Sequence, residues 1–356
     1  MTLPKVHIFQ RVDETGESHA RLKRAGIDLK VADMNWMDAA NEGNSVELEL
    51  ERDTAAAAGV ASRAVLVTRR TLQGARNLRL VAFYSVGYDT VDEDAATRMG
   101  VLVVHSPTET NWGGVAEGTV ANILAMLKKV REKDRHVKAG KWRDLSLRGI
   151  YVGARHIDDY PGLTIGIIGL GRIGSRVADL FGPWRARLIG YDPYIDDSLF
   201  VHHDVRKVDL DTLLGESDVV TLHCNLTPET KGMIGPRELA LMKKTAILCN
   251  HARGAVVDTD ALTDALTGDR IMGAVLDVLA EEPPAPGAAL LALGDKVLLS
   301  PHMVSNNVAT GLIVAVPWVE KAIVDALSGR VPRHVVNAGA LPLWLERFGG
   351  KSLLRT

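Results

Sequence analysis

The stretch that decides the fold is "TIGIIGLGRIGSRVADLFG", residues 164–182. An apolar, β-branched run ends at Gly169, and a helix-like pattern begins at Arg172. The spacing is GxGxxG: Gly169 permits a tight turn, Gly171 lets the backbone approach a pyrophosphate, and Gly174 lets the helix pack on the strand. The same spacing occurs in turns that bind nothing, so the surrounding residues must decide between a dinucleotide site and a simple turn.

The residues beyond the glycines favour a dinucleotide site. The next predicted strand, "RLIGYD", ends at Asp192, about 20 residues downstream, where a carboxylate can bond the ribose hydroxyls of a nucleotide. Pro193 and Tyr194 follow it, and no arginine stands there to receive a 2′-phosphate. The N–H groups of Arg172 and Ile173, at the helix start, would hold the diphosphate. We therefore predict NAD as the cofactor, with NADP less favoured.

Short apolar segments alternate with helix-sized intervals along the chain, which is typical of an α/β protein with parallel sheets. The predicted strands before residue 111 are "KVHIFQ", "AVLVT", "LRLVAFYS" and "GVLVVHS", with charged, Ala-rich or Gly-containing stretches between them. From Leu163 the predicted strands are "LTIGIIG", "RLIGYD", "DVVTLHC", "TAILCN", "GAVLDV" and "KVLLS". This second series predicts a doubly wound sheet of the nucleotide-binding kind.

Helices and connections complete the predicted organisation. "VAEGTVANILAMLKKV" carries Val120, Ile123, Leu124 and Leu127 on one stripe and predicts an amphipathic helix. The polar segment 131–162 predicts an arm or a long connection. "GLIVAVPWVEKAIVDALSG" predicts another helix, and the pattern assigns no role to the final residues of the chain.

Composition excludes several classes of protein. A chain of 356 residues with 46% hydrophobic and 24% charged residues is typical of a two-domain globular protein. A formal net charge of −2 provides no basic surface for nucleic acid or for an anionic membrane. Cys224 and Cys249 are the only cysteines, and the first residues lack a signal-peptide pattern. We therefore expect a cytoplasmic protein, and nothing in the sequence predicts a metal site.

The residues that follow the second series of strands predict the active site, because ligands bind at the carboxyl ends of parallel strands. Arg253, Glu282 and His302 converge there. Histidine can exchange the hydroxyl proton in a hydride transfer, a carboxylate can orient the ring, and arginine can clamp a substrate carboxylate in two-point fashion. The set suits 2-oxo acids. The predicted cofactor contacts at these strand ends are Cys224, Asn225, Thr230, His251, Ala252, Asp277 and Ser305.

Each catalytic candidate also has a structural interpretation. Arg253 can cap a helix or pair at the surface, and Glu282 lies in the proline-rich turn "AEEPPAPG". His302 follows a strand and a proline, an ordinary turn position. His251 is its obvious rival, and His105 and His223 lie at or in predicted strands. Position relative to Arg253 and Glu282 is what favours His302.

Six motifs in order resemble the D-isomer-specific 2-hydroxyacid dehydrogenases, and the match extends to about Asn337: "GVAEGTVANIL", "GLTIGIIGLGRIG", "DVVTLHCNLTPET", "CNHARGAVVDTDAL", "AVLDVLAEEPP" and "LSPHMVSNN". The resemblance implies that Arg253, Glu282 and His302 are catalytic. It further implies that Asp277 contacts the nicotinamide amide, and that the loop at Val86 and Gly87 docks the substrate carboxylate through backbone N–H groups.

The resemblance also implies the domain plan. A Rossmann-type NAD domain, residues 111–304, is expected to be inserted into a flavodoxin-like substrate domain built from residues 1–110 and 305–356. A homodimer is the usual assembly of the family, and the arm around residues 135–160 would take part in it.

Departures from related families narrow the expected reaction. Formate dehydrogenases, which resemble this pattern, pair their histidine with glutamine rather than with a residue like Glu282. Phosphite dehydrogenases carry lysine where Val86 stands. The leading hypothesis is reduction of a small 2-oxo acid such as glyoxylate or hydroxypyruvate. Trp112 and, from the arm, Trp142 are candidates for contact with the substrate. The alternative is a dinucleotide-sensing corepressor or a scaffold of the same fold.

Overall fold

The structure, a computed structural model, describes residues 2–33, 37, 45–62, 64–308 and 310–354. The chain divides into two compact units. Unit 1 comprises Met1–Asn111 with Asn307–Thr356, and unit 2 comprises Trp112–Asn306. Among the helices of the described residues, none has both the length and the apolar character that crossing a membrane requires.

The strands are short, and they pair in parallel within each sheet. Their bounds are β1 Lys5–Ile8, β2 Asp28–Val31, β3 Val46–Glu47, β4 Thr54–Gly59, β5 Val65–Leu66, β6 Leu80–Phe83, β7 Leu102–Val104, β8 Thr164–Ile168, β9 Arg187–Tyr191, β10 Arg206–Lys207, β11 Val219–Leu222, β12 Ile247–Asn250, β13 Gly273–Leu276 and β14 Val297–Leu299.

Aspartate side chains begin several of the helices by accepting a hydrogen bond from a backbone N–H of the first turn, a cap worth about 1 kcal/mol. The helix bounds are α1 Glu17–Arg24, α2 Arg69–Gly74, α3 Glu93–Met99, α4 Glu109–Leu127, α5 Val130–Lys138, α6 Arg172–Phe181, α7 Asp197–His202, α8 Leu210–Glu216, α9 Pro236–Leu241, α10 Thr259–Thr267, α11 Val316–Leu327 and α12 Leu341–Phe348.

Unit 1 is built on a five-stranded parallel sheet in the order β2-β1-β4-β6-β7, the flavodoxin-like order. Hydrophobic cores cover both of its faces. Its central strand, β4, is the alanine-rich stretch that the sequence pattern treats as a separator between strands, so that interpretation is wrong. Alanine favours helices over strands, but Ala55–Ala58 are all at most 1% exposed and are held between β1 and β6. Burial on both faces outweighs the local preference.

Two further differences from the predicted strands occur in unit 1. β2, with a half-exposed and polar sequence, lies at the sheet edge and carries no strong strand signal. The predicted buried strand "AVLVT" forms β5, which within the described part of the chain pairs with β3 in a separate two-stranded sheet. The other predicted strands of this half are confirmed as β1, β6 and β7.

Unit 2 is built on a seven-stranded parallel sheet in the order β10-β9-β8-β11-β12-β13-β14. All six predicted strands are confirmed, and the seventh is the exposed two-residue strand β10. The strand order reverses between β8 and β11, and ligands of such sheets bind outside the carboxyl ends of the strands at this point. The doubly wound α/β fold predicted from the sequence is therefore confirmed.

The first helix of unit 2 differs from its predicted bounds. α4 ends at Leu127 because Lys129 adopts a left-handed backbone conformation (φ 52°), after which α5 begins. On the predicted stripe, Ile123 and Leu127 are buried, whereas Val120 and Leu124 are partly buried against the same core.

The C-terminal residues, to which the sequence pattern assigns no role, belong to the core of unit 1. Trp344 of α12 is fully buried, and its indole N–H donates to the carbonyl of Arg79 at 2.9 Å. The buried Arg79 guanidinium donates to the carbonyls of Ala326 and Lys351, at 3.0 and 2.7 Å. Its Cζ lies 4.9 Å from the centre of the Phe348 ring. α12 thus closes one face of the sheet.

We expect Trp344→Ala to lower the free energy of unfolding of unit 1 by about 3–5 kcal/mol, because it leaves a cavity and removes one of the two hydrogen bonds to the Arg79 carbonyl, which also accepts from the Leu102 N–H. Leu345→Ala is the matched control, since the neighbouring Leu345 is 49% exposed. Urea unfolding followed by circular dichroism measures both. Equal losses for the two variants would contradict the role assigned to α12.

Candidate active site

The glycine turn between β8 and α6 has one open position and two crowded ones. Gly169 has φ +88°, and a Cβ there would lie 2.8 Å from the backbone nitrogen of Cys224. A Cβ on Gly174 would lie 2.0 Å from the Gly169 carbonyl oxygen. A Cβ on Gly171 would meet nothing within 4 Å. Packing therefore requires glycine at 169 and 174, whereas Gly171 leaves space in front of the α6 N-terminus, as a diphosphate needs.

The first turn of α6 is available to an anion. Its N-cap, Gly171, has no side chain to offer the N–H groups that follow, and Arg172 is exposed while Ile173 is half-buried. Helix N-termini carry a partial positive charge and orient N–H groups outward. Arg172 and Ile173 are thus placed where their N–H groups can hold a diphosphate.

Asp192 lies at the end of β9 and bridges it to the glycine turn. One carboxylate oxygen accepts from the Leu170 N–H at 3.0 Å, and the other accepts from the Tyr194 N–H at 3.0 Å. Each oxygen keeps a second lone pair for an incoming hydroxyl. The carboxylate is thereby fixed beside the turn, and its contact with an adenosine ribose stays a prediction.

The predicted acid/base pair is formed within unit 2. The Nδ1 atom of His302 lies 2.8 Å from a carboxylate oxygen of Glu282. The other Glu282 oxygen accepts from the Leu279 N–H, also at 2.8 Å, so the carboxylate is oriented from both sides. Since a carboxylate can only accept, Nδ1 carries the proton, and Nε2 is the nitrogen directed to other partners. The His302 side chain is 50% exposed and thus within reach of a substrate.

Asp277 organises the loop that presents His302. Its Oδ1 accepts from the Ser300 hydroxyl at 2.5 Å and from the Met303 N–H at 3.0 Å, and the Val304 N–H bonds the carboxylate at 3.2 Å. The Asp277 carbonyl accepts from the His302 N–H at 2.8 Å. These bonds hold His302 at φ 54°, a left-handed conformation that costs a non-glycine residue roughly 1–2 kcal/mol. Contact of Asp277 with a nicotinamide amide stays a prediction.

Arg253 follows β12 in a turn that packs against the Glu282 loop. A Cβ on the next residue, Gly254, would lie 2.0 Å from the carbonyl of Leu279, the residue that anchors Glu282. The Arg253 guanidinium donates to the Ala252 carbonyl at 2.8 Å, and the Asn250 side-chain amide donates to the Arg253 carbonyl at 3.0 Å. The structure thus brings the turn of Arg253 and the Glu282–His302 pair to the same edge of the sheet.

The rival histidines are in a different environment. His251 is 5% exposed, and its Nδ1 lies 2.9 Å from the hydroxyl of Thr119. That hydroxyl donates to the Val115 carbonyl, so it accepts from His251. Burial lowers the pKa of His251, and burial lowers the pKa of His223 to about 3. Both rings are therefore neutral near pH 7, and the His251 ring is also enclosed by protein.

The remaining predicted cofactor contacts lie at the same carboxyl edge. Cys224 follows β11, and burial raises the pKa of its thiol to about 11. Thr230 donates its hydroxyl to the Asn225 carbonyl at 2.6 Å and so shapes the loop after β11. Ser305 is half-buried at the end of the His302 loop. Contact of these residues with a cofactor stays a prediction.

Trp112 and Trp142 are the two tryptophans predicted near the substrate. Trp112 is half-buried in α4 at the start of unit 2, and Trp142 is 72% exposed beyond α5. Neither the burial of Trp112 nor the exposure of Trp142 tests whether these side chains contact the substrate.

The loop after β6 in unit 1 carries Val86 and Gly87. The Ser85 carbonyl accepts from the Ser106 N–H at 3.1 Å, and the Val86 carbonyl lies 2.7 Å from Nδ1 of His105. In a trans peptide the C=O and the following N–H point in opposite directions. The N–H groups of Val86 and Gly87 thus point away from these partners, and within the described part of the chain neither bonds an acceptor. Two such N–H groups suit a carboxylate.

Several residues that shape the site were not predicted from the sequence. Ser300 and Asn250 act through side-chain bonds to neighbouring loops, and Thr119 orients His251 from a helix. Ser300 and Asn250 each end a predicted strand, a position that could have suggested them. Thr119 has no local signal, because its partner is 132 residues away along the chain.

Comparisons of this chain with known proteins agree with the geometry of the candidate site. The family model described as "D-isomer specific 2-hydroxyacid dehydrogenase, NAD binding domain" matches residues 120–304. A glyoxylate reductase of Korarchaeum cryptofilum is 35% identical over 337 residues, 94% of this chain and 96% of that protein. The chain belongs to the D-isomer specific 2-hydroxyacid dehydrogenase family. The residues that match the NAD-binding domain model lie within unit 2.

Other relatives of the chain differ from it in length, and their names differ. A D-3-phosphoglycerate dehydrogenase of Archaeoglobus fulgidus is 36% identical over 275 residues, 76% of this chain but 49% of that protein. The chain thus spans about half the length of that relative. A crystal structure of D-lactate dehydrogenase from Aquifex aeolicus, in complex with NAD and lactic acid, superposes with a TM-score of 0.75 and 28% identity, covering 90% of this chain and 94% of that one.

We expect Gly171→Ala to fold normally but to raise the Kd for NADH about tenfold or more, because the added methyl occupies the open space before α6; tenfold corresponds to about 1.4 kcal/mol. Gly174→Ala is the paired variant and should instead lower the melting temperature, since its methyl overlaps the Gly169 carbonyl. NADH fluorescence titration and thermal unfolding separate the two effects. Normal NADH affinity in folded Gly171→Ala would contradict the diphosphate assignment.

Proposed function

We propose that this protein is an NAD-dependent D-2-hydroxyacid dehydrogenase that reduces a small 2-oxo acid, such as glyoxylate or hydroxypyruvate. The observation that carries the proposal is the 2.8 Å contact between Nδ1 of His302 and Glu282, at the sheet edge that also holds the Arg253 turn. This set provides a proton donor, a carboxylate that orients it and a cation for an anionic substrate.

The residues of unit 2 divide the chemistry between them. NADH held at the glycine turn would supply the hydride for the carbonyl carbon, and the carbonyl oxygen would have to gain a proton for the hydroxy acid to form. His302 donates that proton from Nε2, because Nδ1 is bonded to Glu282. Arg253 binds the substrate carboxylate and polarises the carbonyl. In the oxidative direction His302 accepts the proton instead.

The environments of the histidines support this assignment. A general acid near neutral pH must exchange its proton with substrate and solvent. His302 is half-exposed, whereas His251 is buried, and burial lowers the pKa values of both His251 and His223. The left-handed backbone of His302 also fits a functional role, since strained residues cluster at active sites.

Unit 1 contributes the anion-binding loop. We assign the substrate carboxylate to the N–H groups of Val86 and Gly87, whose peptides are oriented by bonds from Ser106 and His105. Trp112 and Trp142 remain candidates for contacts with the rest of the substrate.

The substrate can be identified by comparing the rates of NADH oxidation with glyoxylate, hydroxypyruvate and 3-phosphohydroxypyruvate. The last compound is included because some relatives are named D-3-phosphoglycerate dehydrogenases. We expect turnover of at least one of the first two, with NADH preferred over NADPH because of Asp192. Tight NADH binding without turnover of any 2-oxo acid would favour the corepressor or scaffold alternative. We also place the enzyme in the cytoplasm, where its free cysteines would stay reduced.

A homodimer in which the arm segment, residues 135–160, takes part is included in the proposal. This segment exposes apolar side chains, among them Trp142 (72%), Leu145 (76%) and Ile157 (95%). Val137, Trp142 and Leu145 line a groove of about 410 Å³. Monomeric proteins rarely expose so many large apolar side chains in one segment. A second copy of the chain would cover them.

We expect Glu282→Gln to lower kcat for 2-oxo acid reduction about 10- to 100-fold, because it weakens a charge-assisted hydrogen bond worth about 1.5–3 kcal/mol. Glu281→Gln is the matched control, since the adjacent Glu281 is exposed. NADH Kd should stay the same in both variants. Equal kcat values in Glu282→Gln and the wild type would remove the Glu282–His302 pair from the mechanism.

We expect Trp142→Glu to convert the dimer to a monomer, because a carboxylate would have to be buried at the interface. Val201→Glu, at a position that is 81% exposed on α7, should leave the dimer intact. Light scattering after size exclusion measures the mass of each. A wild-type monomer, or a dimer in Trp142→Glu, would contradict the proposed interface.

A further inference from the structure

The Ser85–Gly87 loop of unit 1 is held by partners that lie beyond the neighbouring strand. β6, which precedes this loop, pairs in parallel with β7, so the residues that follow the two strands lie side by side. His105 and Ser106 follow β7 and bond the loop through its carbonyl groups. The Ser85 hydroxyl closes the loop by donating to the Gly87 carbonyl at 2.8 Å.

Of these contacts, the hydrogen bond from His105 fixes the orientation of one peptide group, the one between Val86 and Gly87. A carbonyl oxygen can only accept, so Nδ1 of His105 carries the proton and donates to Val86 at 2.7 Å. The Val86 carbonyl and the Gly87 N–H belong to the same planar peptide and point in opposite directions. Anchoring the carbonyl at His105 therefore fixes the direction of the Gly87 N–H.

The His105 ring is itself held in place by aromatic neighbours. It makes T-shaped contacts with the ring of Tyr88, with centres 5.6 Å apart, and with the ring of His334, with centres 6.4 Å apart. His334 stacks on Trp318 of α11 at 4.8 Å, with the ring planes 13° apart. The His105 N–H also contacts the His334 carbonyl at 3.4 Å.

This packing ties the loop to the C-terminal part of the chain. Val104 forms an antiparallel bridge with Val335, next to His334, and the Asn337 side-chain oxygen accepts from the Val103 N–H at 2.8 Å. The returning segment thus aligns His334 beside His105. The orientation of the His105 imidazole therefore depends on residues from both the N-terminal and the C-terminal segments of unit 1.

We infer that His105 is a positioning residue for substrate binding: its Nδ1–H holds the Val86–Gly87 peptide with the Gly87 N–H directed to the substrate carboxylate. The inference rests on the proposed function, which assigns that carboxylate to the loop. It adds a residue that touches neither substrate nor cofactor and acts through the peptide alone.

The role predicts a specific kinetic pattern. Without the bond the Val86–Gly87 peptide can rotate, and the substrate carboxylate loses a preoriented donor. Binding of the 2-oxo acid should weaken while NADH binding, which belongs to unit 2, stays the same. A purely structural role would instead lower stability without changing KM.

The test compares His105→Leu, which removes the donor, with His105→Asn, whose amide nitrogen lies the same number of bonds from Cα as Nδ1. His19→Leu, on α1 of the same unit, is the matched control for the loss of an imidazole. Two readouts are used on the full-length protein: KM and kcat for the best 2-oxo acid, and the Kd for oxalate on the enzyme–NADH complex. Melting temperature and NADH Kd monitor folding.

We expect His105→Leu to raise KM and the oxalate Kd at least tenfold, with a much smaller change in kcat and an unchanged NADH Kd. His105→Asn should restore both constants to within about threefold of wild type, since the donor is present again. Wild-type KM and oxalate Kd in folded His105→Leu would overturn the inference, as would failure of His105→Asn to improve on His105→Leu. If the wild-type enzyme binds NADH but neither reduces a 2-oxo acid nor binds oxalate, the proposed function itself is wrong.

Discussion

The carboxyl end of β13 provides the anchor on which the candidate active site depends. Asp277 stands just beyond that strand, and its carbonyl and carboxylate together accept from His302, Met303, Val304 and the Ser300 hydroxyl. The hydrogen bonds to the buried Asp277 carboxylate offset the conformational free energy that the left-handed backbone at His302 costs. Glu282, anchored in turn by the Leu279 N–H, then has a fixed imidazole to bond. The proton donor is thus oriented by backbone groups before any substrate arrives.

The candidate site also requires backbone segments to approach each other closely at two places, and glycine residues make both approaches possible. Gly174 admits the Gly169 carbonyl beneath α6, and Gly254 admits the Leu279–Ala280 backbone beside the Arg253 turn. The first approach places the helix N-terminus over the sheet edge, and the second brings the arginine turn to the acid/base loop. A methyl group at either position would overlap backbone atoms, which can move only together with their strands.

Sequence reasoning was strong where a residue's neighbours in the chain are also its neighbours in space. The glycine turn, Asp192 and the six main strands of unit 2 follow from local patterns, because buried parallel strands are apolar throughout and their ends collect polar side chains. It was weak for β4, because a run of alanines has no strand preference of its own. It was equally unable to find the Thr119–His251 and His105–Val86 contacts, which join separate elements.

The sequence by itself determined the α/β class, the NAD-binding turn and the family, since each is encoded in short motifs with a fixed spacing. It also named three catalytic candidates, and it favoured His302 over His251 by position and by the family resemblance, without a physical difference between the two rings. The tertiary structure shows the physical difference between them: burial lowers the pKa of His251, whereas His302 is half-exposed beside Glu282. Likewise, only the packed core places the C-terminal helix, with Trp344 bonded to Arg79 across 265 residues of chain. Burial and long-range hydrogen bonds arise from how the whole chain packs, and no local pattern contains them.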